Sequence, residues 1–287
     1  MNECNHGSGD AVIWKAGGLE WVLESRALVM GILNVTPDSF SDGGRFDSTD
    51  EVLKAAHGLI EEGADILDIG GESTRPGAPP VSLDEERERV IPVIREIRRQ
   101  SEVAISVDTC KAAVASAALE SGAHIVNDVS GLRDPGMIDV CADSDCGVVV
   151  MHMKGTPETM QGLADYRDVV GEVREFFEER FATLTKAGID AERIVFDPGI
   201  GFGKTLEHNL ALINGVGDYL VHGRPILMGL SRKSFIGHLL GDGDLSRREA
   251  PTQTLTVLTR MKGAMIHRVH RVRENEQALR MVEAVEG

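Results

Sequence analysis

The feature that most constrains this chain is an eightfold alternation of short apolar runs and helical stretches. The runs cover 28–35, 64–70, 103–108, 124–129, 147–152, 193–197, 225–230 and 264–270. Between them, apolar residues recur at helical spacing, as in Val90, Val93, Ile94 and Ile97. Run 147–152 is apolar almost throughout, which is typical of a parallel strand covered by helices. Eight such units in 287 residues predict an α/β fold, a TIM (β/α)8 barrel.

An open, doubly wound sheet is the alternative for alternating strands and helices. Against it stand the count of eight and the absence of a G-x-G-x-x-G motif at the first helix. Segment 12–23 contains both tryptophans and places Gly17-Gly18 between two short alternating runs, so we expect a β-hairpin that closes the bottom of the barrel. We therefore expect one domain, with an N-terminal extension and hairpin over 1–27 and the barrel over 28–287.

Two serines occupy positions that suggest helix starts. Ser48 and Ser82 are each followed three residues later by a glutamate, Glu51 and Glu85. This spacing is that of a capping box, in which each side chain bonds the other residue's backbone amide. The pattern predicts helices that begin just after Ser48 and Ser82.

Charge and cysteine content narrow the class of protein. The chain has 46 acidic and 30 Lys or Arg residues, a net charge of −16, which disfavours a general binder of nucleic acids or anionic membranes. No run approaches the roughly 20 apolar residues of a membrane span, and the first ten residues lack a signal-peptide core. The four cysteines form no C-x-x-C pair, so we expect free thiols and a cytoplasmic protein.

Polar residues stand at the carboxyl end of every predicted strand. They include Asn34, Glu72, Thr74, Arg75, Asp108, Asn127, Asp128, His152, Asp197, Ser231, Arg232, Lys233, Arg268 and His270. Active sites of TIM barrels lie at this end of the strands. Helix capping explains one or two such ends but not all eight, so the sequence predicts a shared ligand site.

The carboxylates and amides at these ends allow specific roles. Asp108 and Asp197 lie on strands three apart and suit a heterocycle with N–H donors or a developing cation. Asn34 offers a neutral oxygen for Mg²⁺ beside substrate phosphates, or equally a hydrogen bond that holds its loop. Strand alternation turns Asp128 away from the mouth, and His152 follows an apolar strand; both are interpreted as structural.

Four basic residues form the clearest electrostatic signal. Arg268 and His270 are two apart and share a strand face, and Arg75 and Lys233 stand at other strand ends. A cationic group in so acidic a chain predicts an anionic substrate group such as phosphate or pyrophosphate.

Other motifs are excluded. The stretch 199–205 lacks the first glycine of a nucleotide P-loop, because Pro198 stands there. The sequence also has no H-E-x-x-H, no G-x-S-x-G and no Cys/His set with zinc spacing.

At these residues the chain resembles the dihydropteroate synthase family, from the first barrel strand almost to the end. The matching segments are 31–44 (GILNVTPDSFSDGG), 68–77 (DIGGESTRPG), 106–109 (SVDT), 127–128 (ND), 197–204 (DPGIGFGK), 231–234 (SRKS) and 268–270 (RVH). The resemblance implies a TIM-barrel transferase of folate biosynthesis. Such an enzyme joins 6-hydroxymethyl-7,8-dihydropterin pyrophosphate to p-aminobenzoate and releases pyrophosphate.

The resemblance also implies residue roles. The expected catalytic residues are Asp108, Asp197 and Lys233, and Asn34 would hold Mg²⁺. The expected substrate-binding residues are Thr74, Arg75, Pro76, Asp108, Asn127, Asp197, Phe202, Gly229, Ser231, Arg232, Lys233, Arg268 and His270. Of these, Asp108, Asn127, Asp197 and Lys233 would line the pterin pocket, and Arg268 and His270 would hold pyrophosphate. The resemblance further implies that the protein is a homodimer.

Two departures from the family pattern stand out. Arg271 occupies the place after the final histidine where the family usually has aspartate. The stretch 249–253 (EAPTQ) stands where the family usually has Gly-Ser or Gly-Thr. Because this stretch lies near the expected p-aminobenzoate mouth, a sulfonamide-insensitive form is one alternative.

Two further functions are compatible with a pterin-binding barrel. One is a methyltransferase that uses methyltetrahydrofolate, which needs no pyrophosphate site and so leaves the basic group without a role. The other is a barrel that binds pterin without catalysis, which the intact motifs disfavour.

Overall fold

The computed structural model describes residues 12–35, 45–73 and 80–286, and its strands form two sheets. The small sheet pairs β1 (Val12–Ala16) with β2 (Leu19–Leu23) antiparallel. The large sheet contains β3 (Leu28–Asn34), β4 (Ile66–Gly70), β5 (Ala104–Asp108), β6 (Ile125–Asp128), β7 (Gly147–Met151), β8 (Ile194–Asp197), β9 (Leu227–Met228) and β10 (Ile266–Val269).

The eight strands of the large sheet form a parallel barrel. Their order is β8-β7-β6-β5-β4-β3-β10-β9. A parallel bridge between Phe196 and Ile226 joins β8 to β9, and the Phe196 N–H donates to the Pro225 carbonyl at 3.1 Å. The predicted TIM barrel and its eight strands are confirmed, and the open-sheet alternative is wrong because the two edge strands meet.

Helices follow the strands on the outside of the barrel. They are α1 (Arg45–Glu61), α2 (Leu83–Gln100), α3 (Ala112–Glu120), α4 (Pro135–Ala142), α5 (Val169–Lys186), α6 (Leu206–Asn214), α7 (Ser234–Leu240), α8 (Glu249–Met261) and α9 (Val272–Glu286). Both α7 and α8 lie between β9 and β10. Within the described ranges, none of the helices has the length and apolar character needed to cross a membrane.

The two predicted helix starts have different outcomes. Ser82 caps α2, since its Oγ accepts the Glu85 N–H at 3.2 Å. The Glu85 carboxylate binds Arg89 instead of completing a capping box. The start predicted after Ser48 is wrong, because α1 already begins at Arg45. The Ser-x-x-Glu spacing is the same whether the serine lies just before a helix, as Ser82 does, or inside its first turn, as Ser48 does. The spacing alone therefore does not fix the first residue of the helix.

The hairpin β1–β2 covers the bottom of the barrel, as predicted. Gly17 and Gly18 form its turn with φ of 55° and 80°, a backbone that glycine adopts without strain. Trp14 is fully buried among the lower inward-facing residues of the barrel strands, and its Nε1 donates to the Arg193 carbonyl at 3.2 Å.

Side chains inside the barrel change character from bottom to top. The lower layer is apolar and contains Leu28, Met30, Ile66, Ala104, Ile125, Val149, Val195, Leu227 and Ile266. Because strand side chains alternate, the next inward residues along β4, β5, β6, β8 and β10 are Asp68, Ser106, Asn127, Asp197 and Arg268. The interior of the barrel is therefore apolar at the bottom and polar at its carboxyl-terminal mouth.

Candidate active site

Asp68 is the centre of a buried hydrogen-bond network at the mouth. It is fully buried and accepts from Ser106 Oγ at 2.6 Å and from Asn127 Nδ2 at 3.2 Å. Arg268 Nε also donates to it, at 2.5 Å. The residues come from β6, β5, β4 and β10, which are four of five consecutive strands, since β3 lies between β4 and β10. The network therefore fixes Asn127 and Arg268 before any ligand binds.

Arg268 lies between two carboxylates. Its Nε bonds Asp68 and its Nη2 bonds Asp108 Oδ2 at 2.7 Å. Burial acts to lower the pKa of Arg268, but the two carboxylates outweigh it and raise the pKa above its ordinary value. The guanidinium is therefore permanently charged and is held in one orientation. The sequence pattern groups Arg268 with other basic residues and does not indicate these two carboxylate partners.

Asp108 ends β5 and is 8% exposed. Burial raises its pKa to about 7, although the Arg268 guanidinium acts to lower it. A carboxyl group in this state can accept from, or donate to, the N–H and carbonyl groups of a heterocycle.

Asp197 ends β8 and lies in a similar environment. It accepts the Gly199 N–H at 2.7 Å, and burial raises its pKa while that N–H and Lys233 act to lower it. Gly199 has φ of 66°, and a Cβ there would lie 2.0 Å from the His152 carbonyl oxygen, so only glycine allows this turn. A Cβ at Gly229 would lie 3.7 Å from Asp197 Oδ2, so the absence of a side chain leaves room beside the carboxylate.

Lys233 approaches the mouth from the loop after β9. Burial lowers its pKa to about 8, while Asp197 acts to raise it. Its Nζ lies 4.1 Å from the centre of the Phe202 ring, within the range of a cation–π contact. Phe202 also packs against Val129, Met151, Met153 and Met160. The mouth thus places the apolar surface around Phe202 beside the ammonium group of Lys233.

Lys204 supports the loop that carries Phe202. It is 6% exposed, and its Nζ donates to the Phe202 carbonyl at 3.1 Å and contacts His152 Nδ1 at the same distance. Burial lowers the pKa of Lys204 to about 7 and that of His152 to about 2. His152 is thus a neutral, packed residue, in agreement with its structural interpretation.

The segment 231–233 connects the mouth to the outer helices. Ser231 Oγ lies 2.9 Å from His270 Nδ1 and accepts the His270 N–H at 3.2 Å. Arg232 donates through Nε to Glu249, at the first residue of α8. Arg271 is exposed and follows the end of β10.

The structure brings most of the predicted site residues to one end of the barrel. Asp108, Asn127, Asp197, Phe202, Gly229, Ser231, Lys233, Arg268 and His270 belong to this mouth, and Asn34 ends β3 with an exposed side chain. The predicted residues Thr74, Arg75 and Pro76 lie outside the described residues. Asp128 accepts from Ser130 and Leu132, which fits its structural interpretation.

A metal site made by the protein alone is not found in the described part of the chain. No group of three or more His, Cys, Asp or Glu residues there could hold an ion. Asn34 supplies one exposed amide oxygen at the mouth. Mg²⁺ keeps most of its waters and takes substrate phosphates as ligands, so a single protein oxygen is compatible with it only when such a phosphate is bound.

Sequence reasoning assigned no role to two residues of this site. Asp68 is a carboxylate inside an apolar strand, two residues before Gly70, and alternation places it inside the barrel. The position of Asp68 in the strand therefore indicates a buried carboxylate inside the barrel, and the sequence alone could have shown it. Lys204 had no such signal, because only the folded loop shows that its Nζ turns back onto Phe202 and His152.

Comparison with known proteins identifies the class of barrel enzyme to which this buried polar layer belongs. The family model "Pterin binding enzyme" matches residues 30–270. Dihydropteroate synthase of Escherichia coli strain K12 is 48% identical over 256 residues, 89% of this chain and 90% of that protein.

Solved structures give the same answer. Dihydropteroate synthase of Xanthomonas albilineans with 4-aminobenzoic acid has a TM-score of 0.90 and 43% identity, and covers 96% of this chain and 99% of that one. The Burkholderia cenocepacia enzyme, complexed with 7,8-dihydropteroate, has a TM-score of 0.87 and 45% identity, with 96% and 97% covered. The fold and site define a pterin-binding barrel transferase. The chain belongs to the dihydropteroate synthase family of pterin-binding enzymes.

Proposed function

We propose that this chain condenses 6-hydroxymethyl-7,8-dihydropterin pyrophosphate with p-aminobenzoate to give 7,8-dihydropteroate and pyrophosphate. The observation that carries the proposal is the prebuilt polar layer of Asp68, Asp108, Asn127, Asp197 and Arg268 in a chain of this family. Its carboxylates and amide match the ring N–H and carbonyl groups of a pterin, and they lie where barrel active sites form.

The pterin end is assigned to the inner carboxylates and the lysine. Asp108, Asn127 and Asp197 would bond the ring, with Lys233 above it. Support comes from the burial of the three side chains, at 8%, 4% and 7% exposed. Buried polar groups with unused bonding capacity hold a heterocycle in one orientation.

The pyrophosphate end is assigned to Arg268 and His270. Arg268 already has its orientation fixed by Asp68 and Asp108, so binding an anion costs it little side-chain entropy. Asn34 would hold Mg²⁺ there, and that ion would neutralise charge on the departing pyrophosphate.

The arylamine end is assigned to residues on the outer side of the mouth. Phe202 offers an apolar face to the ring, and Ser231 and Arg232 offer donors to its carboxylate. Thr74, Arg75 and Pro76 are assigned to the same end on the family resemblance alone.

The reaction then follows from charge placement. The bond between the pterin methylene carbon and the pyrophosphate oxygen breaks, and its electron pair leaves with pyrophosphate. The Asp108 and Asp197 carboxylates stabilise the cation that develops on the pterin and methylene group. The arylamine nitrogen attacks that carbon to form the C–N bond and then loses a proton to solvent, so no strong base is needed.

A direct assay tests the proposal. Purified chain is incubated with the pterin pyrophosphate, with and without p-aminobenzoate, and pyrophosphate and dihydropteroate are quantified. We expect dihydropteroate only when both substrates are present, with one pyrophosphate released per product. Methyl transfer from methyltetrahydrofolate, or pterin binding without product, would replace this function by one of its alternatives.

We also propose that the protein is a cytoplasmic homodimer, as the family resemblance implies. Leu210 on α6 and Leu258 and Met261 on α8 are exposed, and these two helices are in contact. Leu258 and Met261 are three apart on one helix and therefore share a face. Apolar side chains exposed on adjacent helices suit an interface with a second copy.

A further inference from the structure

Arg232 has a backbone conformation that its residue type disfavours. Its φ is +58°, and in the described part of the chain only Leu132 and His222 are other non-glycine residues with positive φ. In this left-handed region the Cβ crowds the carbonyl oxygen, so the conformation persists only where neighbours enforce it.

The start of α8 supplies that enforcement through three contacts. Glu249 accepts from Arg232 Nε, and the Arg232 N–H donates to Thr252 Oγ1 at 3.3 Å. Arg248 Nη1 donates to the Arg232 carbonyl at 3.1 Å. The side chain and both backbone polar groups of one residue are thus held by the first turn of one helix and the residue that precedes it.

The turn at Arg232 separates two residues of the mouth. Before it, Ser231 Oγ bonds His270. After it, Lys233 places its Nζ over the Phe202 ring, and α7 begins at the next residue. The backbone angle at Arg232 therefore sets the relative direction of Ser231 and Lys233.

The environment of Glu249 indicates that its carboxylate does more than stabilise the start of α8. Its side chain is 17% exposed, and its second oxygen, Oε2, is buried with no hydrogen-bond partner among the described residues. A buried acceptor without a donor costs stability, which an ordinary helix-start carboxylate in solvent avoids. The position of this carboxylate is thus explained by Arg232 rather than by the helix.

We propose that Glu249 is a positioning residue for the pterin site. By holding Arg232 in the left-handed conformation, it aims Lys233 at the pterin and Ser231 at His270. This inference rests on the proposed function in assigning the pterin to Lys233. It gives a role to Glu249, the first residue of the stretch 249–253.

The test is a rescue experiment read out by binding. Glu249→Leu removes the acceptor, and we expect the affinity for the pterin pyrophosphate, measured by calorimetry without p-aminobenzoate, to fall about tenfold. Adding Arg232→Gly to the same chain should restore that affinity to within about threefold, because glycine takes φ of +58° without being held. Glu249→Gln keeps an acceptor and should lie between Glu249→Leu and wild type.

A matched control is Glu276→Leu, which removes the acceptor of another Glu–Arg pair, with Arg280 at 2.9 Å on α9. It should leave pterin affinity and the KM of p-aminobenzoate unchanged. In Glu249→Leu we expect KM for the pterin substrate to rise more than kcat falls.

Two results overturn the inference. One is wild-type pterin affinity in Glu249→Leu; the other is failure of Arg232→Gly to restore it, which indicates that Glu249 only stabilises α8. Should Glu249→Leu not fold, Glu249→Ala, which also removes the acceptor, carries the comparison, and equal affinity to wild type there has the same meaning. Because the readout is binding, a chain that binds pterin but forms no dihydropteroate overturns the proposed function and leaves this inference standing.

Discussion

At the residue scale, the two inner aspartates have unequal surroundings. Asp108 bonds Arg268, whereas Asp197 accepts only the Gly199 N–H among the hydrogen bonds that the structure describes for its carboxylate. Asp197 is thus the carboxylate with more capacity for the substrate, and the charge-stabilising role falls most directly on it.

Asp197→Asn tests that role. The amide keeps the shape but removes the charge that faces the developing cation, so turnover should fall by about 10²-fold or more. Steady-state kinetics with both substrates measures it, with Asp139→Asn on α4 as a control away from the mouth. Near-normal turnover would remove Asp197 from the charge-stabilising set.

Arg268→Ala tests the pyrophosphate end. Loss of a charged hydrogen bond should weaken the pterin pyrophosphate by about 1.5–3 kcal/mol. A pterin without phosphates should lose less, although Asp68 and Asp108 lose a partner. Arg271→Ala is the control, since that side chain is exposed. Calorimetry with both ligands decides, and equal losses for the two pterins would mean that Arg268 only supports the carboxylates.

Lys233 predicts a pH dependence. Burial lowers its pKa to about 8, so the ammonium is present below that pH and is lost as pH rises through it. We expect kcat/KM to decline on the alkaline side near pH 8, and Lys233→Arg, which stays protonated, to move the decline upward. If kcat/KM of Lys233→Arg declines at the same pH as wild type, the decline belongs to another group, and Lys204 is the next candidate.

At the element scale, the hairpin and the mouth have separate roles. Trp14 fills the bottom of the barrel, where the inward residues are apolar, whereas the substrate residues lie in the layer above. The hairpin should therefore contribute to stability and leave substrate affinity unchanged.

Trp14→Ala measures this separation. Removing a fully buried tryptophan should cost about 3–5 kcal/mol of the free energy of unfolding, through lost contacts and a cavity. Urea unfolding gives the loss, and KM values at a temperature where the variant is folded should match wild type. A changed KM for either substrate would show that the bottom layer influences the mouth. Trp21→Ala, in the partner ring stacked at 4.9 Å, should cost less because that side chain is partly exposed.

At the scale of the whole molecule, an acidic protein handles an anionic substrate. The net charge is −16, so long-range attraction does not recruit a pyrophosphate. Affinity must come from local, pre-oriented donors, and Arg268 between its two carboxylates is one of them.

The proposed dimer is the prediction at this scale. Light scattering after gel filtration should give twice the 31.0 kDa of one chain. Met261→Glu on α8 should favour the monomer, because burying an unpaired charge at an interface is costly. Met281→Glu, on the exposed face of α9, is the control. A wild-type monomer at micromolar concentration would contradict the dimer.

The sequence by itself determined the barrel, its hairpin and the end where the polar residues meet. Those properties depend on local signals: the strand period, the glycine turn of the hairpin, and the position of each polar residue after an apolar run. These properties can be predicted without knowledge of any long-range contact.

Only the tertiary structure decided which groups pair. Asp68 and Arg268 are 200 residues apart, and their bond depends on how β4, β3 and β10 align across the sheet. The left-handed turn at Arg232 likewise depends on α8, which follows it by a loop and a helix. Strand register and helix docking are set by packing of the whole barrel, and the local sequence around each residue contains no record of them.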